Sequence, residues 1–117
     1  MPDAPLPSPL TKKVDNFLDY LSVERGCSPL TLRNYRHYLI RFASWFSEDG
    51  KAALESISMD TIHNYRLYLS KFESDKGQGL GKKTQSYHVI ALRSFLKWLV
   101  KNDVKVLAPE KVELPKI

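Results

Sequence analysis

The sequence predicts an all-α fold of four helices with no substantial sheet. Three observations carry this expectation. Four segments repeat their apolar residues at steps of three and four, and none sustains a period of two. Ser, Pro and Gly sit between those segments, where helices start and stop. At 117 residues, the chain is long enough for one domain around a single hydrophobic core.

The first helix is expected from about Thr11 to Arg25. Val14, Phe17, Leu18 and Leu21 form one apolar stripe, and Gly26 follows the last turn, where a left-handed residue commonly ends a helix. The second is expected from Pro29 to Phe46. Ser28 suits the N-cap, and Pro29 suits the first helical position because its missing N–H has no partner to lose there. Leu32, Tyr35, Leu39, Phe42 and Phe46 form its stripe, and Glu48, Asp49 and Gly50 break the pattern.

The third helix is expected from Met59 to Phe72, capped by Ser58, with Asp60 placed favourably for the helix dipole. Ile62, Tyr65 or Arg66, and Leu69 mark its buried side. Three glycines between Ser74 and Gly81 indicate a flexible loop. The fourth helix is expected from Lys82 to Lys101. Val89, Leu92, Phe95, Leu96 and Leu99 form its stripe, and Asn102 and Asp103 end it.

Domain organisation follows from these limits. Residues 1–10, with prolines at 2, 5, 7 and 9, are expected to be a flexible lead-in. The helical domain spans 11–103. Residues 104–117, with Pro109 and Pro115, are expected to be an extended linker.

Several function classes are set aside. No apolar run approaches the roughly 20 residues of a membrane span, and Met1–Pro9 lacks the basic and apolar regions of a secretory signal. A cytoplasmic protein is the simplest reading. The single cysteine, Cys27, excludes an internal disulfide and supplies no metal-ligand pair. There is no Gly-rich phosphate loop, His/Cys cluster or nucleophile–base motif, so neither cofactor, metal nor catalytic residue is expected.

The net charge of +5 favours an acidic partner, but its distribution says more. The first and third helices mix both signs. From Gly26 to Ser47 there is no acid, while Arg33, Arg36 and Arg41 are basic and His37 can become so. From Lys76 to Asn102 there is again no acid, while Lys82, Lys83, Arg93, Lys97 and Lys101 are basic. Surface helices gain from pairs of opposite charge one turn apart. A basic face is usually just a solvated one, but two helices cleared of acid beside two balanced neighbours fit an external polyanion better.

In the second helix, Arg33, Arg36/His37 and Arg41 are expected to share a face away from the apolar stripe. In the fourth, Lys82, Lys83, Thr84 and Gln85 fill the first turn, where free N–H groups and the dipole favour a phosphate. Asn34, His37 and Gln85 are side chains able to read base edges.

The run Gly26-Cys27-Ser28-Pro29-Leu30-Thr31-Leu32-Arg33-Asn34-Tyr35, continuing to Leu39, Phe42 and Phe46, resembles the S-x-x-T-x-x-x-Y-x-x-x-L-x-x-F signature of the N-terminal core-binding domain of tyrosine recombinases and phage integrases. Ala91-Leu92-Arg93-Ser94-Phe95-Leu96-Lys97-Trp98-Leu99 is similar to that domain's A-L-R-S-F-F-x-W-L helix, and Pro109 followed by Leu114-Pro115-Lys116 is similar to its exit toward a catalytic domain. The resemblance covers about Leu10 to Lys116.

It implies a SAM-like orthogonal four-helix bundle forming half of a clamp on duplex DNA. The second and fourth helices would approach the major groove. Carried over by position, Thr31, Arg33, Asn34 and His37 are the contacts expected from the second helix. Lys83, Thr84 and Tyr87 are those expected from the fourth, with Lys82, Gln85, His88 and Arg93 as neighbours. Strand cleavage in that family belongs to a C-terminal domain expected beyond Lys116, so this chain is expected to have no activity alone. Its expected partners are double-stranded DNA and other recombinase protomers, with no membrane, and the isolated domain is expected to be a monomer. A helical protein–protein interaction module is the alternative.

Overall fold

The structure, a computed structural model, describes residues 8–48 and 53–114. The lead-in at 1–7, the break at Asp49 and Gly50, and the last three residues of the expected linker lie outside the described residues. Four α-helices run in order: α1 Pro9–Val23, α2 Pro29–Glu48, α3 Met59–Lys71 and α4 Lys82–Lys101. Single 3-10 turns occupy Leu54–Ser56 and Pro109–Lys111, and no strand occurs among the described residues. The chain divides into two compact units, the first ending at Ser56 and the second beginning at Ile57.

In the first unit, α1 packs along α2. The α1 stripe buries Leu10, Val14, Phe17 and Leu21, and α2 buries Leu39, Phe42, Ala43 and Phe46. The Phe17 and Tyr35 rings meet with centroids 6.5 Å apart. The expected stripe of α2 is thus buried in its second half, while Leu32 and Tyr35 remain half-exposed.

α1 begins two residues before the expected Thr11. Ser8 is the cap: Thr11 N–H donates to Ser8 Oγ at 3.2 Å, and Ser8 N–H donates to Thr11 Oγ1 at 2.8 Å. Ser8-Pro9-Leu10-Thr11 repeats the Ser28-Pro29-Leu30-Thr31 run that opens α2. The prolines around it hide the signal, yet Pro9 takes the first helical position, where proline is tolerated. At the other end, Gly26 has φ +62°, the left-handed conformation expected of it.

In the second unit, α3 packs on α4, and α4 packs on the Pro109–Lys111 turn. Ile62, Tyr65 and Leu69 of α3 are buried, so Tyr65 rather than Arg66 carries the stripe. Val89, Leu92, Phe95, Leu96 and Leu99 of α4 are all buried, as expected. α4 ends in a Schellman motif. Asp103 is left-handed at φ 62°, with Val104 N–H donating to the Leu99 carbonyl and Asp103 N–H to the Val100 carbonyl.

The tail departs from the expected extended linker over residues 104–114. Pro109 and Val112 are buried. Arg93 Nε donates to the Pro109 carbonyl at 3.1 Å, and an Arg66 guanidinium N–H donates to the Glu113 carbonyl. Burial of two apolar side chains and capture of two carbonyls fold this segment back onto its unit.

Candidate nucleic-acid interface

α2 starts from a fixed cap. Thr31 N–H donates to Ser28 Oγ at 3.2 Å, and the Ser28 hydroxyl donates to Thr31 Oγ1 at 3.1 Å. Thr31 is therefore half-buried as part of the helix start. At about 100° per residue, Arg33, His37, Arg41 and Asn34 fall within one arc of about 100°. Arg33, Asn34 and His37 are exposed, and Arg41 is half-buried.

Arg36 lies about 60° to the other side of Arg33, on the flank that borders Leu32 and Leu39. There it meets α1: Arg36 Nη1 donates to Asp15 Oδ1 at 2.6 Å. The expectation that Arg36 stands in the middle of a free basic face is corrected accordingly. The His37 pKa is pushed below 6.5, first by burial and then by the positive charge of Arg41. Protonation of its imidazole is therefore disfavoured, and it offers a hydrogen bond more readily than a charge.

α4 begins at Gly81, which has no side chain to cap the first N–H groups. Lys82 and Lys83 are exposed around that open turn, and Thr84 is half-buried. Gln85 is half-buried, and its Nε2 donates to the Leu80 carbonyl at 2.8 Å, so its amide steadies the incoming loop. Tyr87 is 41% exposed.

His88 is not on the surface. It is 1% exposed, and its Nδ1 lies 2.7 Å from the Thr84 carbonyl oxygen. A carbonyl only accepts, so Nδ1 is the protonated nitrogen. The expectation of His88 as a neighbouring contact is corrected: it falls four residues before Leu92 and seven before Phe95, inside the buried stripe. Arg93 is half-buried and holds the Pro109 carbonyl.

Two residues left out of the expected contact set belong with it by position. Lys97 and Lys101 are exposed and lie 14 and 18 residues after Lys83, close to whole numbers of helical turns, on the side that also presents Tyr87. That periodicity is readable in the sequence. No carboxylate among the described residues pairs with Arg33, Lys82, Lys83, Lys97 or Lys101.

A family model described as phage integrase, N-terminal SAM-like domain, matches residues 14–103. The chain belongs to this family. Among curated relatives of this SAM-like domain is the tyrosine recombinase XerC of Escherichia coli O139:H28 (strain E24377A / ETEC), 34% identical over 104 residues. The match covers 88% of this chain and 33% of the relative. XerC of Escherichia coli O8 (strain IAI1) and of strain K12 / DH10B match with the same identity and coverage. The chain therefore spans about a third of the length of the curated relatives it matches. No solved structure matches.

Two further observations bound the chemistry. Among the described residues, no three His, Cys, Asp or Glu side chains gather as a metal site. No described helix is long and apolar enough to cross a membrane.

Proposed function

We propose that this SAM-like domain binds duplex DNA as the N-terminal part of a cytoplasmic site-specific tyrosine recombinase, and that strand cleavage is not performed by its own residues. The observation that carries the reading is the pair of long acid-free runs, Gly26 to Ser47 along α2 and Lys76 to Asn102 along α4. Arg33, Asn34 and His37 on α2, and Lys82, Lys83 and Tyr87 on α4, are exposed.

Arg and Lys contacts to phosphates supply most of the affinity, and they make it fall with salt. Asn34 supplies base preference where it meets a base edge, with Thr31, Thr84 and Gln85 giving weaker polar contacts beside it. Arg41 and Arg93 add positive charge from half-buried positions.

The test is charge reversal. Arg33→Glu with Lys83→Glu leaves circular dichroism and the thermal transition unchanged, because both side chains are exposed, and weakens binding to a generic duplex more than tenfold at low salt. Unchanged affinity in the folded double variant contradicts the reading.

Contact with other recombinase protomers is a second role. Val23 at the end of α1 is 82% exposed, and Leu30 at the start of α2 is also exposed.

A further inference from the structure

We propose that Asp15 is a built-in competitor of DNA phosphate: it occupies Arg36 on the flank of α2 and lowers the affinity of the free domain for duplex DNA. The inference rests on the reading that α2 faces DNA.

α2 has no acid between Gly26 and Ser47, so no carboxylate on the same helix lies within a turn of Arg36. The carboxylate comes instead from α1, which packs along α2. One guanidinium nitrogen donates to one carboxylate oxygen at 2.6 Å. The side chains are 55% and 56% exposed, so water and salt screen the pair and it exchanges readily.

Arg36 lies on the flank of the helix, not on the arc of Arg33 and His37. A helix seated in a groove has base edges ahead of it and phosphates along its flanks. Arg36 is placed to meet a phosphate, and Asp15 already holds it. A phosphate arriving at Arg36 must displace or share the carboxylate, and Asp15 repels it meanwhile. The domain thus carries one fewer usable positive charge than its arginine count suggests.

The test is a double-mutant cycle in the 117-residue chain, using a generic duplex as probe. Asp15→Asn tightens binding by roughly two- to fivefold, the scale of an exposed ion pair. It steepens the slope of log affinity against log salt by about 0.9, as one more phosphate contact requires. Arg36→Ala added to Asp15→Asn abolishes the gain.

Asp19→Asn is the control. It removes the same charge one turn along α1 without freeing an arginine, and it gives the smaller gain of bulk charge alone. Equal gains from Asp15→Asn and Asp19→Asn, or a gain that survives Arg36→Ala, overturns the proposal. If reversal of Arg33 and Lys83 weakens binding while Asp15→Asn does nothing, the proposal fails and the DNA reading stands. If that reversal does nothing either, both fail together.

Discussion

α2 and α4 share a sequence signature, long runs without acid, and differ in what surrounds their cations. On α2, Arg36 is answered from the neighbouring helix by Asp15, and partial burial and the charge of Arg41 disfavour a proton on His37. On α4, Lys82, Lys83, Lys97 and Lys101 stay exposed, with no carboxylate partner among the described residues. An absence of acid along a helix is not an absence of acid around it. Local pairing reaches three or four residues, whereas the Asp15–Arg36 contact spans 21. α4 is the stronger candidate for salt-sensitive contacts, while α2 keeps Arg33 exposed and otherwise offers polar groups with a weakened charge.

The two helices also differ in how their stripes are used, and this difference gives the largest expected effect. The α4 stripe is buried throughout, whereas the first half of the α2 stripe is half-exposed. Phe95→Ala should destabilise the fold by about 3–5 kcal/mol, since it deletes a fully buried ring. Leu32→Ala should lose only about 1 kcal/mol, because less apolar surface leaves water there on folding. Urea denaturation of both variants measures the pair, and equal losses would erase the contrast.

The smallest expected effect concerns His37. Its depressed pKa means that the folded state disfavours the protonated ring. Its contribution to stability is complete above the unfolded value of 6.5 and is lost as pH falls through the lower folded value. A nearby phosphate opposes that shift, so DNA binding should take up a proton. Affinity should rise between pH 7.5 and 5.5, by less than about threefold from this one contact. His37→Gln should flatten the rise in a pH series of binding isotherms, and an identical rise in that variant would remove His37 from the face.

Much of the fold was legible because its signals are local. The bounds of α4, the caps at Ser28 and Ser58 and the α4 stripe follow from residues within one or two turns of each other. The start of α1 was written in Ser8-Pro9-Leu10-Thr11, but four prolines in nine residues outweighed it. The folded tail was not legible. Burial of Pro109 and Val112 depends on Arg93, 16 residues before Pro109, and on Arg66, 47 residues before Glu113, and no short-range pattern encodes such contacts. At the candidate site, exposure of Arg33, Asn34, Lys82 and Lys83 followed from the stripes. His88 could have been placed inside by the same periodicity, since it lies in register with Leu92 and Phe95. The occupation of Gln85, Arg36 and Arg93 by partners outside their own helices could not.

The most direct measurement is a residue-resolved NMR titration of the labelled chain with a generic duplex, first at low salt and then at higher salt. The account predicts shifts concentrated on Arg33–Arg41 and Lys82–Tyr87, extending to Lys97 and Lys101, and fading as salt rises. With about five phosphates engaged, log affinity should fall against log salt with a slope near −4.5. No binding at low salt, or shifts confined to α1 and α3, would contradict it.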